Sequence, residues 1–302
     1  MSHFTCLVIG DNPEEQLAPY GDFDVPRYFD SIVSDEDFSG FREWYTTENS
    51  VAGITKSQAA GNAMLSDEEL YGKFGGDWDG YAWQKEWVNL QGFRWVEYST
   101  YNPKMKWDYH QLGGRWSGFF KLIPYGKGRL GVCGGKRIDR EFDCDQALKE
   151  DIDFDSMITI AGIRAERRYD KVMRFMGHLP RNRSWENVLS QYKDIVKARK
   201  VYKNQLRCEL VESNDSFRKF LNPALSVDEF LINRNEYIEN AKLSAYSVFA
   251  VVKDGVWYER GEMGLWLSVA IKVEKTEWNR KVTELIDELP GDTLLSVYDC
   301  HM

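Results

Sequence analysis

Hydrophobic and polar residues alternate most regularly at the two ends of the chain. Residues 2–9 alternate and stop at the turn sequence of residues 10–13, which predicts a β-strand. Near the other end, residues 247–252 and 256–258 flank Asp254-Gly255, a dipeptide that two-residue hairpins favour because both positions have positive φ. We therefore predict a strand at the start of the chain and a β-hairpin near its end.

A helix and a strand follow the predicted hairpin. Apolar residues at helical spacing predict a helix over residues 278–289, which Pro290-Gly291 ends, and residues 293–300 have the pattern of a last strand. We predict an α+β fold in which both chain ends form an antiparallel or mixed sheet and helices pack on it.

The middle of the chain has helical patterns instead. Ser226 with Glu229 and Ser66 with Glu69 have the spacing of capping boxes, in which the first residue of a helix and a Glu three residues later bond reciprocally. Ser184 begins a predicted long helix with an apolar stripe. The stripe consists of Trp185, Val188, Leu189, Tyr192, Ile195 and Val196.

These patterns divide the chain into three predicted regions. Residues 1–159 form an N-terminal α+β region with an aromatic- and Gly-rich segment, and residues 160–242 form a helical insertion. Residues 243–302 contain the hairpin, helix and strand that we expect to pair with the N-terminal strand.

Charge is distributed unevenly along the chain. The net charge of −9 argues against a protein that binds nucleic acid through its overall charge. Residues 1–79 carry 4 basic and 16 acidic side chains, whereas residues 164–207 carry 13 basic and 4 acidic ones. Two solvated faces of opposite sign, or a surface that matches a charged partner or a second copy, would both produce this pattern.

Length and composition indicate a globular protein with at least one large core. The chain has 302 residues, of which 43% are hydrophobic. No apolar run approaches the roughly 18 residues needed to cross a bilayer, so we expect no membrane association and a location in the cytosol of the cell that makes it. Five cysteines without a CxxC pair indicate reduced thiols. They are Cys6, Cys133, Cys144, Cys208 and Cys300.

Two short motifs resemble ligand-binding loops but lack the required context. Residues 126–131 match GxGxxG, yet Val132 and the following residues do not have the pattern of the helix that a dinucleotide site needs, so a flexible Gly-rich loop is favoured. Asp151, Asp153 and Asp155 have the alternate spacing of a calcium loop, but the required glycine and glutamate are missing. We interpret them as a solvated acidic turn.

Metal-ligating residue types occur at both chain ends. If the terminal strands are neighbours, His3 would lie near Asp299, Cys300 and His301. Alternation sends Asp299 and His301 to one face of a strand and Cys300 to the other, so at most three of the four would converge. A metal site and ordinary strand-edge roles both remain open. No serine nucleophile elbow or HExxH pair is present.

Aromatic residues are concentrated in residues 78–120, which contain thirteen of them. Such residues fill cores, stack on bases or anchor protein interfaces, and exposed ones would be our first choice for partner contact. With the basic residues after Asp194, they give the candidate partner contacts. These are Trp78, Trp83, Trp87, Trp95, Tyr101, Trp107, Arg115, Trp116, Lys197, Arg199, Lys200 and Lys203.

Several motifs resemble those of a protein family that is widespread in tailed bacteriophages. They are the start MSHFT, YNPKMKWD at residues 101–108, LGGRWSG at residues 112–118 and DCH at residues 299–301. The resemblance runs from one end of the chain to the other. It implies a viral protein of the host cytoplasm without an established catalytic site, so we expect no enzymatic activity and no cofactor.

Within that family, the length and viral setting are similar to those of inhibitors of the host Gabija nuclease–helicase complex. The resemblance thus implies this complex as partner, with the inhibitor self-associating into a multi-copy shell that blocks DNA binding and cleavage. One alternative is a metal-dependent enzyme acting on a nucleotide or nucleic acid through His3, Asp299 and His301. Another is a nucleic-acid-binding module using residues 164–207, although we do not expect direct nucleic-acid binding.

Overall fold

The chain forms two compact units. The computed structural model describes residues 3–75, 81–88, 92–133, 141–215, 217–218, 227–263, 269–271 and 273–302. One unit combines residues 1–17 with residues 110–301, and the other consists of residues 18–109. These limits differ from the predicted region boundaries after residues 159 and 242.

The described strands and helices alternate irregularly along the chain. The strands are β1 (His3–Ile9), β2 (Asp24–Ile32), β3 (Tyr81–Trp87), β4 (Phe93–Tyr101), β5 (Tyr109–Gly114), β6 (Phe120–Lys121), β7 (Gly128–Arg129), β8 (Val132–Cys133), β9 (Asp143–Cys144), β10 (Gln146–Leu148), β11 (Ala250–Lys253), β12 (Val256–Glu259), β13 (Gly261–Met263), β14 (Val269–Ile271) and β15 (Leu294–His301). The α-helices are α1 (Pro13–Leu17), α2 (Asp35–Thr46), α3 (Lys56–Asn62), α4 (Asp67–Phe74), α5 (Phe154–Met176), α6 (Trp185–Leu189), α7 (Ile195–Lys203), α8 (Leu206–Ser213), α9 (Arg234–Leu243) and α10 (Lys275–Asp287). Short 3₁₀ turns span Ala18–Tyr20, Lys149–Asp151 and Val227–Phe230.

The two chain ends pair at the centre of an eight-stranded mixed sheet. Its main path runs β12-β11-β1-β15-β10-β7, and β5 pairs with both β15 and β8. Strand β1 is antiparallel to β15, from His3 opposite His301 to Ile9 opposite Leu295. It is parallel to β11 on its other side. The predicted α+β fold with a sheet built from both chain ends is confirmed.

The hairpin near the C-terminus is also confirmed. Strands β11 and β12 are joined by Asp254 and Gly255, whose φ angles are 53° and 71°. Glycine adopts this left-handed conformation without a Cβ clash, and aspartate tolerates it better than most side chains. The turn therefore has the backbone that two-residue hairpins require.

Both faces of the central strands are buried. On one face, Leu7 and Val297 pack in a hydrophobic cluster with Trp278, Val282 and Ile286 of α10. On the other face, alternate residues of β1, β11 and β15 are almost fully buried as well. They are Cys6, Val8, Ala250, Val252, Tyr298 and Cys300. Burial on both faces explains why these strands are almost continuously apolar.

The described part of residues 154–243 is mainly helical, but the helix predicted from Ser184 is divided in the structure. The predicted single helix from Ser184 is wrong: α6 ends at Leu189, and α7 starts after Asp194. The Asp194 side chain accepts hydrogen bonds from the Val196 and Lys197 amides, so it caps a new helix instead of continuing the previous one.

The predicted helix from Ser226 also differs from the structure. Ser226 lies outside the described residues, the next residues form a 3₁₀ turn, and α9 starts after the N-cap Asn233. An ion pair joins this helix to α5, because Arg234 donates to both Asp170 carboxylate oxygens, over 2.8 and 3.1 Å. The capping box of Ser66 and Glu69, which starts α4, is confirmed.

The smaller unit is a three-stranded antiparallel sheet covered by helices. Its strand order is β2-β4-β3, with β4 in the centre. Helices α2 and α4 contact the sheet through aromatic side chains, including Phe38 against Trp95 and Tyr71 against Trp83. Across both units, no described helix combines the length and apolar composition needed to span a bilayer.

The cysteines are expected to differ sharply in reactivity. Among the described residues none of the five forms a disulfide bond, and Cys133 is exposed whereas the other four are buried. Burial raises the pKa of the Cys144 thiol to about 12, and the Asp145 and Asp143 carboxylates add to this rise. Titration with a disulfide reagent at pH 8 should therefore detect one fast thiol in the native protein and five in guanidinium.

The substitution Cys133→Ser provides the control, because it should abolish the fast phase and leave the count in guanidinium at four. Rapid reaction of more than one thiol in the native protein would contradict the burial of the terminal strands.

Candidate functional site

The motif LGGRWSG spans the end of β5 and the glycine-containing loop that follows it. Gly113, Gly114 and Gly118 have φ angles of 79°, 57° and 82°, which non-glycine residues rarely adopt. Two backbone hydrogen bonds close the turn, from the Trp116 amide to the Gly113 carbonyl and from the Ser117 amide to the Gly114 carbonyl. The backbone conformation therefore favours glycine at these three positions.

Asp145 holds one side of this loop from the protein interior. Its side chain is fully buried. One carboxylate oxygen accepts from the amides of Gly118 and Phe119, over 2.7 and 3.1 Å. The other accepts from the Ser117 hydroxyl at 3.0 Å and the Gly131 amide at 2.8 Å. Four donors compensate the desolvation of a charge that would otherwise be unfavourable in the interior.

Asp299 holds the same loop at its other end and joins it to the chain termini. It is 1% exposed. Its Oδ1 lies 2.7 Å from His3 Nδ1, and its Oδ2 accepts from the Arg115 amide at 3.0 Å. One carboxylate on β15 thus contacts both the first strand and the glycine loop.

The predicted gathering of metal-type residues at the termini occurs in part. The rings of His3 and His301 lie 4.8 Å apart, edge to face, beside Asp299. Cys300 faces the opposite side of the sheet, as alternation predicted, and lies beside Cys6. Among the described residues, no three His, Cys, Asp or Glu side chains are placed to hold a metal ion. Since Nδ1 of His3 already contacts Asp299, the geometry is that of a hydrogen-bonded clamp between strand ends.

The other candidate loops have structural roles too. After Gly126, the chain forms β7 and then β8, so no helix follows the GxGxxG match in the described residues. Asp153 caps α5 by accepting from the Ser156 amide at 2.9 Å. The acidic residues at 151–155 thus serve a 3₁₀ turn and a helix start.

Trp83 and Trp95 pack against aromatic side chains of helices α2 and α4 in the smaller unit. Trp95 stacks on Phe38 with ring centres 5.1 Å apart, and Trp83 stacks on Tyr71 at 5.7 Å. The Trp83 indole also donates to Glu97 at 2.7 Å. These residues form the sheet–helix contact of that unit. Trp78 and the side chain of Trp87 lie outside the described residues.

Tyr101 and Trp107 border a second clamp, which is built by the YNPKMKWD motif. Asn102 is 4% exposed, and its side-chain amide donates to the carbonyls of Pro19 and Gly21, over 3.0 and 2.9 Å. The Trp107 ring lies against Gly21 so closely that a Cβ there would overlap it. This motif, too, fixes a loop in place.

Of the candidate contacts, those on α7 and the glycine loop are the most exposed. Arg115 is exposed, and Trp116 beside it is half-buried. Helix α7 buries only Ala198, so Lys197, Arg199 and Lys200 project from the surface. Lys203 is exposed as well and forms an ion pair with Glu212 at 2.9 Å.

Exposed apolar side chains accompany these cations. Ile195 and Val196 are 51% and 70% exposed, although the predicted stripe had placed them on a buried helix face. Leu206 at the start of α8 is 52% exposed. We define the α7 surface as Lys193, Ile195, Val196, Lys197, Arg199, Lys200 and Leu206.

Comparison with known proteins does not identify this fold or this arrangement. No family description, curated protein or solved structure matches the chain. The resemblance to a bacteriophage family therefore stays a prediction based on the motifs.

Sequence reasoning missed the residues that organise the loops. The sequence patterns assigned no role to Asp145 and none to Asn102 beyond the YNPKMKWD motif, and they offered Asp299 as a metal ligand or an ordinary strand-edge residue. One signal was present: YNPKMKWD contains a proline and LGGRWSG contains glycines, which indicate an unusual backbone that some buried polar group must hold.

Replacing Asp145 by asparagine tests the loop anchor. The Asp145→Asn amide cannot accept four hydrogen bonds and would direct N–H donors at backbone amides, so we expect a loss of about 2–4 kcal/mol in unfolding free energy. Urea denaturation measures it. The control Asp292→Asn, at an exposed carboxylate, should change stability by no more than about 0.5 kcal/mol. Equal effects of the two changes would refute the anchoring role.

Replacing Gly114 by alanine tests the close approach of the loop to Asp299. A Cβ on Gly114 would overlap the Asp299 side chain, whereas one on Gly255, which also has positive φ, would meet nothing within 4 Å. Gly255→Ala should therefore cost only the backbone strain, about 1–2 kcal/mol. Gly114→Ala should cost about 2 kcal/mol more. Thermal unfolding of both variants measures the difference, and similar costs would show that the contact is not tight.

Proposed function

We propose that this chain is a bacteriophage counter-defence protein that acts in the host cytoplasm by binding another protein. The observation that carries the proposal is the α7 surface, where exposed cations surround exposed apolar side chains. Lys193, Lys197, Arg199 and Lys200 form no ion pair with the described residues. Exposed cations without an ion pair among the described residues are available to a partner.

The mixture of side chains favours a protein partner. Val196 lies one helical turn from Arg199 and Lys200, so an apolar centre is bordered by positive charge. Protein interfaces combine an apolar centre with a polar rim, and charged rims set orientation and association rate. A complementary partner would present an apolar pocket with acidic borders.

The expected partner is the host Gabija nuclease–helicase complex, and the support for it is the family resemblance together with the length and viral setting. In this proposal the protein self-associates on the complex as a shell, which blocks DNA binding and cleavage. The residues of the motifs anchor loops and pair strands, so we assign them a role in stabilising the fold. Contact with the partner is assigned to exposed surface residues. The His3–Asp299 pair is assigned a positioning role, and the proposal includes no catalysis.

Co-purification with the Gabija complex tests this function. The tagged protein should co-elute with the complex in gel filtration and should protect phage from it in infected cells. The variant Lys197→Glu/Arg199→Glu/Lys200→Glu should weaken binding at least about tenfold, since three favourable charges become repulsive. Lys56→Glu/Lys127→Glu/Arg280→Glu makes the same charge change at other exposed positions and should bind normally.

Two outcomes would contradict the proposal. Absence of co-elution with the unmodified protein would remove the partner, and equal binding by both triple variants would remove the α7 surface.

The same basic surface also favours a second candidate function, nucleic-acid binding. Binding through phosphates would weaken steeply with salt, because neutralised phosphates release counterions. A gel shift with duplex DNA at low salt that disappears in the α7 triple variant, but not in its control, would support this candidate. No shift at low salt would exclude it.

A further inference from the structure

A cleft of about 340 Å³ lies at one edge of the central sheet in the larger unit. The parallel strands β1 and β11 end together at this edge, where Ile9 is opposite Lys253. The end of α10 and the turn between it and β15 complete the described lining. Ligands commonly bind outside the carboxyl ends of parallel strands, in sites of roughly 300–1,000 Å³. The position and volume of the cleft are therefore those of a site for a small molecule.

The strand ends beside the cleft are held in place by the chain itself. Gln16 of α1 donates to the Ile9 carbonyl at 3.0 Å and to the Asp11 carbonyl at 2.9 Å. Its side chain also accepts from the Gly255 amide at 3.2 Å, in the turn of the β11–β12 hairpin. Helix α1 contacts the sheet face of Tyr298, whereas α10 packs on the opposite face. The strand ends between the two helices are thus a fixed border, so the cleft exists before any ligand binds.

The floor of the cleft is apolar. Ile9 is 2% exposed, and Leu285 and Leu289 at the end of α10 are half-buried. All three side chains line the same cleft. A hydrocarbon group placed on them would lose contact with water, which is favourable. The cleft can therefore bind a ligand that has an apolar part.

Four polar side chains also line the cleft and have no partner in the described parts of the chain. The side chains of Lys253, Asp254, Glu288 and Thr293 form no hydrogen bond or ion pair there. The lysine lies beyond ion-pair distance of both carboxylates, although all three groups border one cleft. A ligand with two opposite charges can bridge such groups, because each charged end would form charge-assisted hydrogen bonds.

The C-terminus of α10 is already neutralised. Carbonyl groups at the end of a helix favour a cation. Lys149 supplies this cation by donating to the carbonyls of Asp287 and Leu289, over 2.8 and 2.6 Å. Its ammonium group is thus engaged, and its charge offsets that of the helix end. The charge that a ligand meets in the cleft therefore depends mainly on Lys253 and the two lining carboxylates.

We propose that the cleft binds a free α-amino acid with an apolar side chain. Asp254 and Glu288 hold its ammonium group, and Lys253 holds its carboxylate. Its side chain lies on the apolar floor. Such a ligand matches every part of the lining, since an amine alone would leave Lys253 unpaired and a carboxylic acid alone would leave both carboxylates unpaired. The site is separate from the α7 surface and does not depend on the proposed partner.

Calorimetric titration of the full-length protein with four small molecules tests the three parts of this site. L-Leucine should bind saturably and should also raise the melting temperature, because it binds the folded state. Leucinamide lacks the carboxylate, 4-methylpentanoate lacks the ammonium group, and glycine lacks the apolar side chain. Each should bind at least about tenfold more weakly than leucine, because each loses one favourable contact.

Two variants assign the charged contacts to particular residues. Lys253→Met should weaken leucine binding at least about tenfold and leave leucinamide binding unchanged, whereas a purely structural role would affect both ligands alike. Glu288→Gln should weaken leucine binding but not 4-methylpentanoate binding, since that ligand has no ammonium group. The matched controls are Lys127→Met and Glu284→Gln, at exposed positions outside the described lining. Both controls should bind leucine as the unmodified protein does.

Three results would overturn the proposal. One is the absence of saturable leucine binding. Another is leucinamide binding as tight as that of leucine, which would indicate an amine or a peptide N-terminus as the ligand. The third is an equal loss of leucine binding in Lys253→Met and Lys127→Met, which would indicate nonspecific attraction by basic side chains.

Discussion

The antiparallel pairing of β1 with β15 is the constraint on which the larger unit depends. Because the first and last strands are neighbours, the chain between them must leave β1 and return to pair β15 beside it. Asp299 lies in this strand pair and links it to the glycine loop, since its carboxylate contacts His3 on one side and the Arg115 amide on the other. A buried carboxylate must have its lone pairs satisfied, so strand pairing and loop conformation stabilise each other.

Local features of the fold could be predicted from the sequence, and long-range polar contacts could not. The Asp254-Gly255 turn and the Ser66–Glu69 capping box depend on neighbouring residues, so their chemistry is visible in a short window. Asp145 accepts from residues up to 28 positions away, and Asp299 from a residue 184 positions away. No periodicity specifies such a partner, which is why these side chains were recognised as anchors only in three dimensions.

Composition also fails to distinguish a core from an interface. Trp83 and Trp95 are typical interface residues, yet here they pack against helices α2 and α4 through Tyr71 and Phe38. Val196 shows the opposite case, because it was predicted to lie on the apolar stripe of one long helix but is exposed. The stripe includes it only if the helix from Ser184 continues. Once Asp194 starts a new helix, that residue faces solvent. The exposure of the candidate partner surface therefore results from the break between α6 and α7.

The basic segment of residues 164–207 divides into cations with different physical roles. Those of α7 are solvated, so salt screens them beyond roughly 10 Å at 0.1 M and their attraction to a partner is weak and salt-dependent. Arg207 is buried, where screening is much smaller and an unpaired charge destabilises the fold itself. A solvated surface cation can remain unpaired at little free-energy cost. An unpaired buried cation is unfavourable because its desolvation is not compensated. The 13 basic side chains of this segment therefore include solvated cations suited to transient macromolecular contact and a buried one that affects the stability of the fold.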